Sequence, residues 1–139
     1  MTDPILYETR DHIAILTFNR PEKRNPISDP DMIEALIATL DRMERDHEVR
    51  VAILTGAGKG FSSGGDVRKM DGKSGINDVK GVRTRHLYRH GIQRLPRAFA
   101  ALEVPVIAHN ALIRNKQATG RPKDLLDLDL LRRHSRKEG

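Results

Sequence analysis

Apolar residues are frequent in two short segments near the N-terminus, Ile5 to Arg10 (ILYETR) and His12 to Arg20 (HIAILTFNR). Both segments contain β-branched or aromatic residues, and the second is followed by the turn-like sequence RPEKRNP. This pattern predicts two strands that pair as a β-hairpin.

The next segment changes to a helical period. Five apolar residues recur every three or four positions: Ile33, Leu36, Ile37, Leu40 and Met43. They follow Asp29, a residue type that caps helices, and Pro30, which fits the first helical position. We therefore predict an amphipathic helix from Pro30 to about Asp46.

Two apolar runs later in the chain predict further strands, Val49 to Thr55 and Val104 to Ala108 (VPVIA). The first contains four consecutive apolar residues, which favours a strand that is covered on both faces of a parallel sheet. The order strand, helix, strand, helix, strand predicts an α/β fold with parallel neighbours joined by right-handed crossovers.

The segment between these strands falls into two parts. Met70 to Gly81 is polar and glycine-bearing, which predicts an irregular surface segment. Five residues that follow lie near one helical face: Leu87, Gly91, Leu95, Phe99 and Leu102. Pro96 should break or restart that helix.

A glycine-rich sequence, GAGKGFSSGGD, follows the first apolar run, from Gly56 to Asp66. It is not a phosphate-binding P-loop, because Lys59 is followed by glycine, and a dinucleotide fingerprint would need glycine where Phe61 stands. A strand that runs into a turn remains, with a possible helix start at Asp66 ahead of Val67 to Met70. Backbone N–H groups in such a turn can bind a negatively charged oxygen. The alternative is an ordinary glycine-bearing loop.

Composition limits the classes of protein that the chain can represent. It has 139 residues, of which 37% are hydrophobic, 32% charged and 4% aromatic, and it contains no cysteine. These values are typical of a soluble globular protein without disulfides or thiolate metal sites. No leader or membrane-spanning run is apparent, so we expect a cytoplasmic protein.

The formal net charge of +6 is uneven, with +2 in residues 1–108 and +4 in residues 109–139. Three aspartates interrupt the basic end, which has no aromatic residue to stack on bases, so nucleic-acid binding is disfavoured. His86 and His90 stand one helical turn apart but have no third ligand nearby in sequence, so no metal site is predicted.

Three segments in order, HIAILTFNRPEKRNPIS, VRVAILTGAGKGFSSGGDV and VPVIA, resemble the enoyl-CoA hydratase/isomerase or crotonase family over residues 1–108. The resemblance implies the N-terminal half of a crotonase-like (ClpP/crotonase) α/β fold. It also implies an acyl-CoA substrate in fatty acid metabolism, no cofactor apart from the CoA of the substrate, and assembly as a homo-oligomer, a trimer in the family.

The resemblance also assigns site residues. In the family, the segment matching Ser63 to Asp66 contacts CoA and supplies a backbone N–H to the thioester oxygen, which makes Gly65 one donor of an oxyanion hole. Gly64 and Asp66 belong to the same CoA-contacting segment, and Ser63 is a candidate for a backbone contact to adenine. Lys23 and Arg24 are candidates for phosphate contacts, and the alternative is that these two exposed basic residues only aid solubility.

The chain departs from the family pattern after Ala108. The family continues into a glycine-rich turn that donates the second oxyanion N–H, whereas this chain continues with HNALIRNKQATGRPKDLL. No Asp or Glu occurs between Glu103 and Asp124, so neither the second donor nor a proton-transferring carboxylate can be assigned. Glu103 stands at the start of a strand, whereas ligands of parallel sheets gather at the carboxyl ends. Glu103 is therefore rejected as a candidate base.

The C-terminal segment has a different character. Asn110 to His134 resembles the C-terminal end of nucleotidyltransferase-like proteins, without the metal-binding acidic residues of that domain upstream. Gly120 to Asp124 predicts a turn and a helix start. Five leucines then form an apolar face: Leu125, Leu126, Leu128, Leu130 and Leu131.

We therefore divide the chain into residues 1–108, crotonase-like, and residues 109–139, a basic helical tail of different origin. Three functions stay open: an enzyme acting on acyl-CoA, a CoA-binding protein without turnover, and an interaction protein that uses its tail.

Overall fold

A four-stranded mixed sheet lies at the centre of the computed structural model, which describes residues 2–66 and 81–137. The sheet order is β1 (Ile5–Arg10), β2 (Ile13–Phe18), β3 (Val51–Gly56) and β4 (Val106–Ala108). Strands β1 and β2 form the predicted antiparallel hairpin, and Asp11 and His12 make its turn with positive φ angles of 49° and 67°. Strands β2, β3 and β4 are parallel neighbours, which confirms the predicted α/β arrangement.

Helix α1 (Pro30–Glu44) connects β2 to β3 and supplies much of the hydrophobic core. It begins at Pro30, as predicted, and ends two residues before the predicted Asp46. Burying such side chains contributes about 1.5–3 kcal/mol each. The buried core residues of α1 and the two central strands are Met32, Ile33, Leu36, Leu40, Met43, Ala14, Leu16, Phe18, Ala52 and Leu54.

The start of α1 differs in one detail from the prediction. Asp29 occupies the N-cap position, but its side chain makes no capping hydrogen bond. Its carboxylate instead forms an ion pair with Arg20, in which it lies 3.7 Å from the Nη1 atom. Asp31 instead accepts a hydrogen bond from the backbone N–H of Met32 at 2.9 Å.

Strand β3 is shorter and less covered than predicted. It begins at Val51 rather than Val49, because the N–H of Val49 donates to the carbonyl oxygen of Asp46 in a turn, at 3.0 Å. Ala52 and Leu54 are buried, while the alternate residues of the strand are half-buried. This alternation is typical of a sheet covered on one face, so the prediction of two covered faces is wrong for the described part of the chain.

Strand β4 also begins later than predicted, at Val106 rather than Val104. The carboxylate of Glu44 accepts hydrogen bonds from the N–H groups of Glu103 and Val104, at 2.8 and 3.4 Å. These amides therefore bind the end of α1 instead of a neighbouring strand. Ile107 of β4 is 37% exposed.

Two helices lie between β3 and β4, α2 (Gly81–His90) and α3 (Arg94–Ala100). The chain restarts its helix two residues before Pro96, which places the proline in the first turn, where it is tolerated. Leu95 is buried, and Phe99 and Leu102 pack against the core. Leu87, which the sequence places near the same helical face, is 38% exposed. Residues 67–80, which include the helix start predicted after Asp66 and most of the predicted irregular segment, lie outside the described residues.

The tail forms two helices, α4 (His109–Thr119) and α5 (Pro122–Lys137), which pack against each other. Helix α4 was not predicted. It ends at Gly120, whose φ of 59° suits glycine and turns the chain toward α5. The turn and helix start predicted near Gly120 are thus confirmed, whereas the division of the chain after residue 108 stays a prediction.

A buried carboxylate joins the two tail helices. Asp124 is 3% exposed and receives the Nε of Arg121 at 2.7 Å and the Nζ of Lys116 at 3.5 Å. Lys116 also donates to Asp127 at 2.6 Å. This last hydrogen bond is the main reason why the pKa of Lys116 is raised above its ordinary value.

The broad apolar face predicted for α5 is only partly buried. Leu128 is 4% exposed, but Leu125, Leu126 and Leu130 are 56%, 69% and 64% exposed. None of the described helices combines the length and the apolar character that crossing a bilayer requires.

Candidate functional site

The turn at residues 20–28 and the glycine-rich loop at residues 56–66 lie side by side and are joined by hydrogen bonds. The N–H of Ser63 donates to the carbonyl oxygen of Arg24 at 2.8 Å, and the N–H of Ile27 donates to that of Gly64 at 2.9 Å. Pro26 and Gly64 form an isolated parallel bridge. The structure thus brings together the two segments in which site residues were predicted from the sequence.

The turn presents its two basic side chains to solvent. Pro21–Lys23 forms one turn of 3-10 helix, and Arg24 ends it with a φ of 59° and an N–H that donates to the carbonyl oxygen of Pro21 at 3.1 Å. The side chains of Lys23 and Arg24 are exposed, and neither forms an ion pair with any residue that the structure describes. Both are therefore available to an external anion.

Two glycines allow the turn and the loop to approach each other closely. A Cβ atom on Gly56 would lie 2.2 Å from the carbonyl oxygen of Phe61 and 2.8 Å from Nδ2 of Asn25. A Cβ atom on Gly58 would lie 2.8 Å from Cβ of Pro21. Real Cβ atoms do not approach other atoms to these distances, so a side chain at either position would push the segments apart.

The backbone around Gly65 leaves one donor group unused. The N–H of Gly64 donates to Oγ of Ser62, and the N–H of Asp66 donates to Oγ of Ser28, both at 3.0 Å. Between them, the N–H of Gly65 has no hydrogen-bond partner among residues 2–66 and 81–137. A free N–H between two anchored neighbours can donate to an oxygen that carries negative charge.

The other predicted residues of this segment differ in exposure. Ser63 is exposed, and its N–H donates to the carbonyl oxygen of Arg24. Gly64 has a φ of 76°, which favours glycine. Asp66 is only 8% exposed, and its backbone is anchored on Ser28. Its predicted contact with CoA stays a prediction.

Asn25 is a residue of the site that sequence reasoning missed. It is fully buried, and its Nδ2 donates to the carbonyl oxygens of Ala57 and Gly60, both at 2.9 Å. Its Oδ1 accepts the N–H of Arg20 at 2.8 Å. The available signal was its position in a turn before Pro26, since asparagine tolerates the left-handed conformation, and its φ is 53°.

The carboxyl ends of β3 and β4 meet the start of helix α4 beside the loop. The chain passes from Ala108 directly into α4, so no separate turn precedes the helix. A shallow pocket lies there. It is lined by Thr55, Gly56, Gly58, Lys59, Gly60, Phe61, His109 and Asn110.

Groups that could hold a metal ion are not part of this site. Among the described residues, no cluster of three or more His, Cys, Asp or Glu side chains is placed to bind a metal. His86 and His90 stack with ring centroids 4.2 Å apart on the exposed side of α2.

Comparison with known proteins relates most of the described sheet to one family. The family model for enoyl-CoA hydratase/isomerase matches residues 8–111. A Mycobacterium tuberculosis protein named "Probable enoyl-CoA hydratase EchA14" is 36% identical over 86 residues, which cover 62% of this chain and 32% of that protein. The small ribosomal subunit protein mS47 of Schizosaccharomyces pombe is 36% identical over 106 residues, which cover 76% of this chain and 24% of that protein.

Solved structures give the same relationship. The crystal structure of an enoyl-CoA hydratase/isomerase from Xanthobacter autotrophicus Py2 superposes with a TM-score of 0.63 and 34% sequence identity, over 78% of this chain and 39% of that one. The chain thus spans about a quarter to two fifths of the length of the relatives that it matches. Its α/β sheet corresponds to the N-terminal half of the crotonase fold, and the chain belongs to the enoyl-CoA hydratase/isomerase family.

Proposed function

We propose that the chain binds acyl-CoA thioesters across the turn at residues 20–28 and the loop at residues 56–66. The observation that carries this proposal is the free N–H of Gly65, which is fixed between two hydrogen-bonded neighbours. A thioester oxygen gains negative charge when an enolate forms, and a fixed N–H stabilises that charge with little reorganisation. Since Gly65 has no side chain, a thioester can approach its backbone closely.

The exposed cations of the turn supply the second half of the proposed site. Lys23 and Arg24 lie beside the loop, because the carbonyl oxygen of Arg24 accepts the N–H of Ser63. The phosphates of CoA carry the charge that these side chains would attract, and the planar guanidinium of Arg24 can contact one phosphate with two N–H groups. CoA is part of the ligand here, so the proposal requires no separate cofactor.

Replacing both cations should weaken the binding of acyl-CoA. We expect Lys23→Ala with Arg24→Ala to raise the Kd for crotonyl-CoA roughly tenfold at low ionic strength, and less at high ionic strength, because salt screens exposed charges. Titration calorimetry at two salt concentrations measures both effects.

A charge-matched control separates the site from the general basicity of the chain. Arg83→Ala with Arg85→Ala removes the same charge from exposed positions of α2. We expect this variant to bind crotonyl-CoA as the parent does. Equal affinity of the Lys23/Arg24 variant and the parent would contradict the assigned phosphate contact.

The exposed leucines of α5 favour a second candidate function, self-association through the tail. Leu125, Leu126 and Leu130 are 56%, 69% and 64% exposed. Apolar surface of this kind is removed from water when another molecule packs on it.

Replacing the two most exposed leucines tests this second candidate. We expect Leu126→Gln with Leu130→Gln to lower the molar mass measured by light scattering at high protein concentration. Lys123→Gln, an exposed change on the same helix, should leave the mass unchanged. A parent chain that is monomeric at every concentration would rule out association through α5.

A further inference from the structure

Asn25 connects the two halves of the proposed site, the turn at residues 20–28 and the loop at residues 56–66, through a buried side chain. Its side chain is 0% exposed and forms three hydrogen bonds, two to the loop and one to the turn. The carbonyl oxygen of the same residue accepts Oγ of Ser62 at 2.7 Å, and its N–H donates to the carbonyl oxygen of Arg20 at 2.9 Å.

The chemistry of these bonds requires an amide at this position. Nδ2 is a donor to two carbonyl oxygens of the loop, while Oδ1 is an acceptor from the turn. Aspartate has the same shape as asparagine and would keep the accepting oxygen. In place of the donor, however, it would put a negatively charged oxygen against the carbonyl oxygens of Ala57 and Gly60. Buried acceptors that lose their donors are costly, so the loop would move away from the turn.

We infer that Asn25 is a positioning residue, which fixes the separation between the turn and the loop so that one CoA thioester spans both. This inference rests on the proposed function, since the turn would hold the phosphates and the loop the thioester. A ligand with two linked parts binds tightly only when both subsites are held at the separation of the parts. Asn25 does not touch the ligand; it acts through Lys23, Arg24 and Gly65.

The first arm of the test measures the separation without any ligand. The chain contains no cysteine, so Glu22→Cys gives one attachment point for a nitroxide spin label on the exposed side of the turn. In the parent, the label should broaden the amide NMR signals of Gly64 and Gly65. In Asn25→Asp this broadening should weaken, while the amide shifts of β2 and β3 stay those of the folded sheet.

A matched control uses an asparagine outside the connection. Asn19 also donates its side-chain amide to a carbonyl oxygen, that of Asp3, at 3.0 Å. Asn19→Asp therefore removes an amide donor at a less buried position and should leave the broadening at Gly65 unchanged. Asn25→Gly is a second variant, which accepts the left-handed backbone and lacks the side chain.

The second arm measures binding with three probes: adenosine 3′,5′-bisphosphate, S-crotonyl-pantetheine and crotonyl-CoA. In Asn25→Asp we expect the two fragments to bind as they do to the parent. Crotonyl-CoA should bind on the order of tenfold to a hundredfold more weakly, because the advantage of linkage is lost. A residue needed only for folding would change the affinity for all three probes together.

Each result decides the inference. Unchanged broadening in Asn25→Asp, or equal loss of affinity for fragments and intact ligand, would overturn the positioning role. Unfolding of both Asn25 variants would also overturn it, because Asn25 would then be a residue of the fold alone. A parent chain that binds none of the three probes would overturn the proposed function, while the spin-label arm still decides whether Asn25 holds the turn and the loop together.

Discussion

The purified 139-residue chain is expected to hydrate crotonyl-CoA no faster than buffer does. In the described site, one fixed N–H group is free at Gly65, and the chain enters α4 immediately after β4, where the family pattern has a glycine-rich turn. Loss of one oxyanion donor costs about 100- to 1,000-fold in rate, and loss of a general acid or base about 100- to 10,000-fold. Together these losses bring the rate down to the background.

Loss of crotonyl-CoA absorbance, followed spectrophotometrically at several protein concentrations, measures this rate. Glu103→Gln is the informative variant, because Glu103 is an exposed carboxylate just before β4 and belongs to the opposite end of that strand from the glycine-rich loop. Turnover that is proportional to protein and abolished by Glu103→Gln would show that a proton-transferring carboxylate had been overlooked.

Local patterns were enough to predict most of the sheet and its first helix. The hairpin follows from β-branched and aromatic residues bounded by a turn, and α1 follows from the helical spacing of Ile33 to Met43; both signals lie within a few residues of each other. The start of β3 depends on a turn in which Asp46 accepts the N–H of Val49, and the start of β4 depends on Glu44, which accepts backbone N–H groups from a distant part of the chain. Such contacts leave no periodic signal.

Which leucines of the tail are buried could not be predicted, for a related reason. A leucine-rich helix indicates an apolar face, but which leucines become buried depends on the partner helix. Here Leu128 is buried, whereas Leu126 and Leu130 remain exposed. The partner helix, α4, was not predicted. Its sequence, HNALIRNKQAT, was compared only with the glycine-rich turn of the family, and its amphipathic character is weak.

The site was predicted as two separate sequence segments, and the resemblance to the family assigned both. The structure adds their adjacency, since Ser63 and Arg24 share a backbone hydrogen bond at 2.8 Å. Asn25 could not be assigned from its sequence, because its role depends on Ala57 and Gly60, more than thirty residues away. Whether Lys23, Arg24 and Gly65 contact a ligand stays a prediction.

Three single alanine substitutions in the glycine-rich loop should separate close packing from backbone conformation. A Cβ on Gly56 would meet backbone and side-chain atoms at 2.2 to 2.8 Å, whereas Gly60 and Gly64 have no atom within 4 Å. Gly64 has a positive φ of 76°, and Gly60 does not. We expect Gly56→Ala to destabilise the fold by about 3 kcal/mol, as in an overpacked core.

The other two substitutions are matched controls of the same chemical size. Gly64→Ala should cost about 1–2 kcal/mol, the strain of a left-handed L-residue. Gly60→Ala should be neutral or stabilise the protein by up to about 1 kcal/mol, through the lower entropy of the unfolded chain. Urea unfolding followed by circular dichroism gives the three free energies of unfolding.

The same variants test how the loop serves the proposed site. Because the Cβ in Gly56→Ala presses on Phe61 and on Nδ2 of Asn25, the variant should also lose affinity for crotonyl-CoA under conditions in which it remains folded. Gly60→Ala should bind as the parent does, since its Cβ points into open space. A Gly56→Ala chain as stable as Gly60→Ala would contradict the close approach of turn and loop, and with it the geometry on which the proposed thioester site depends.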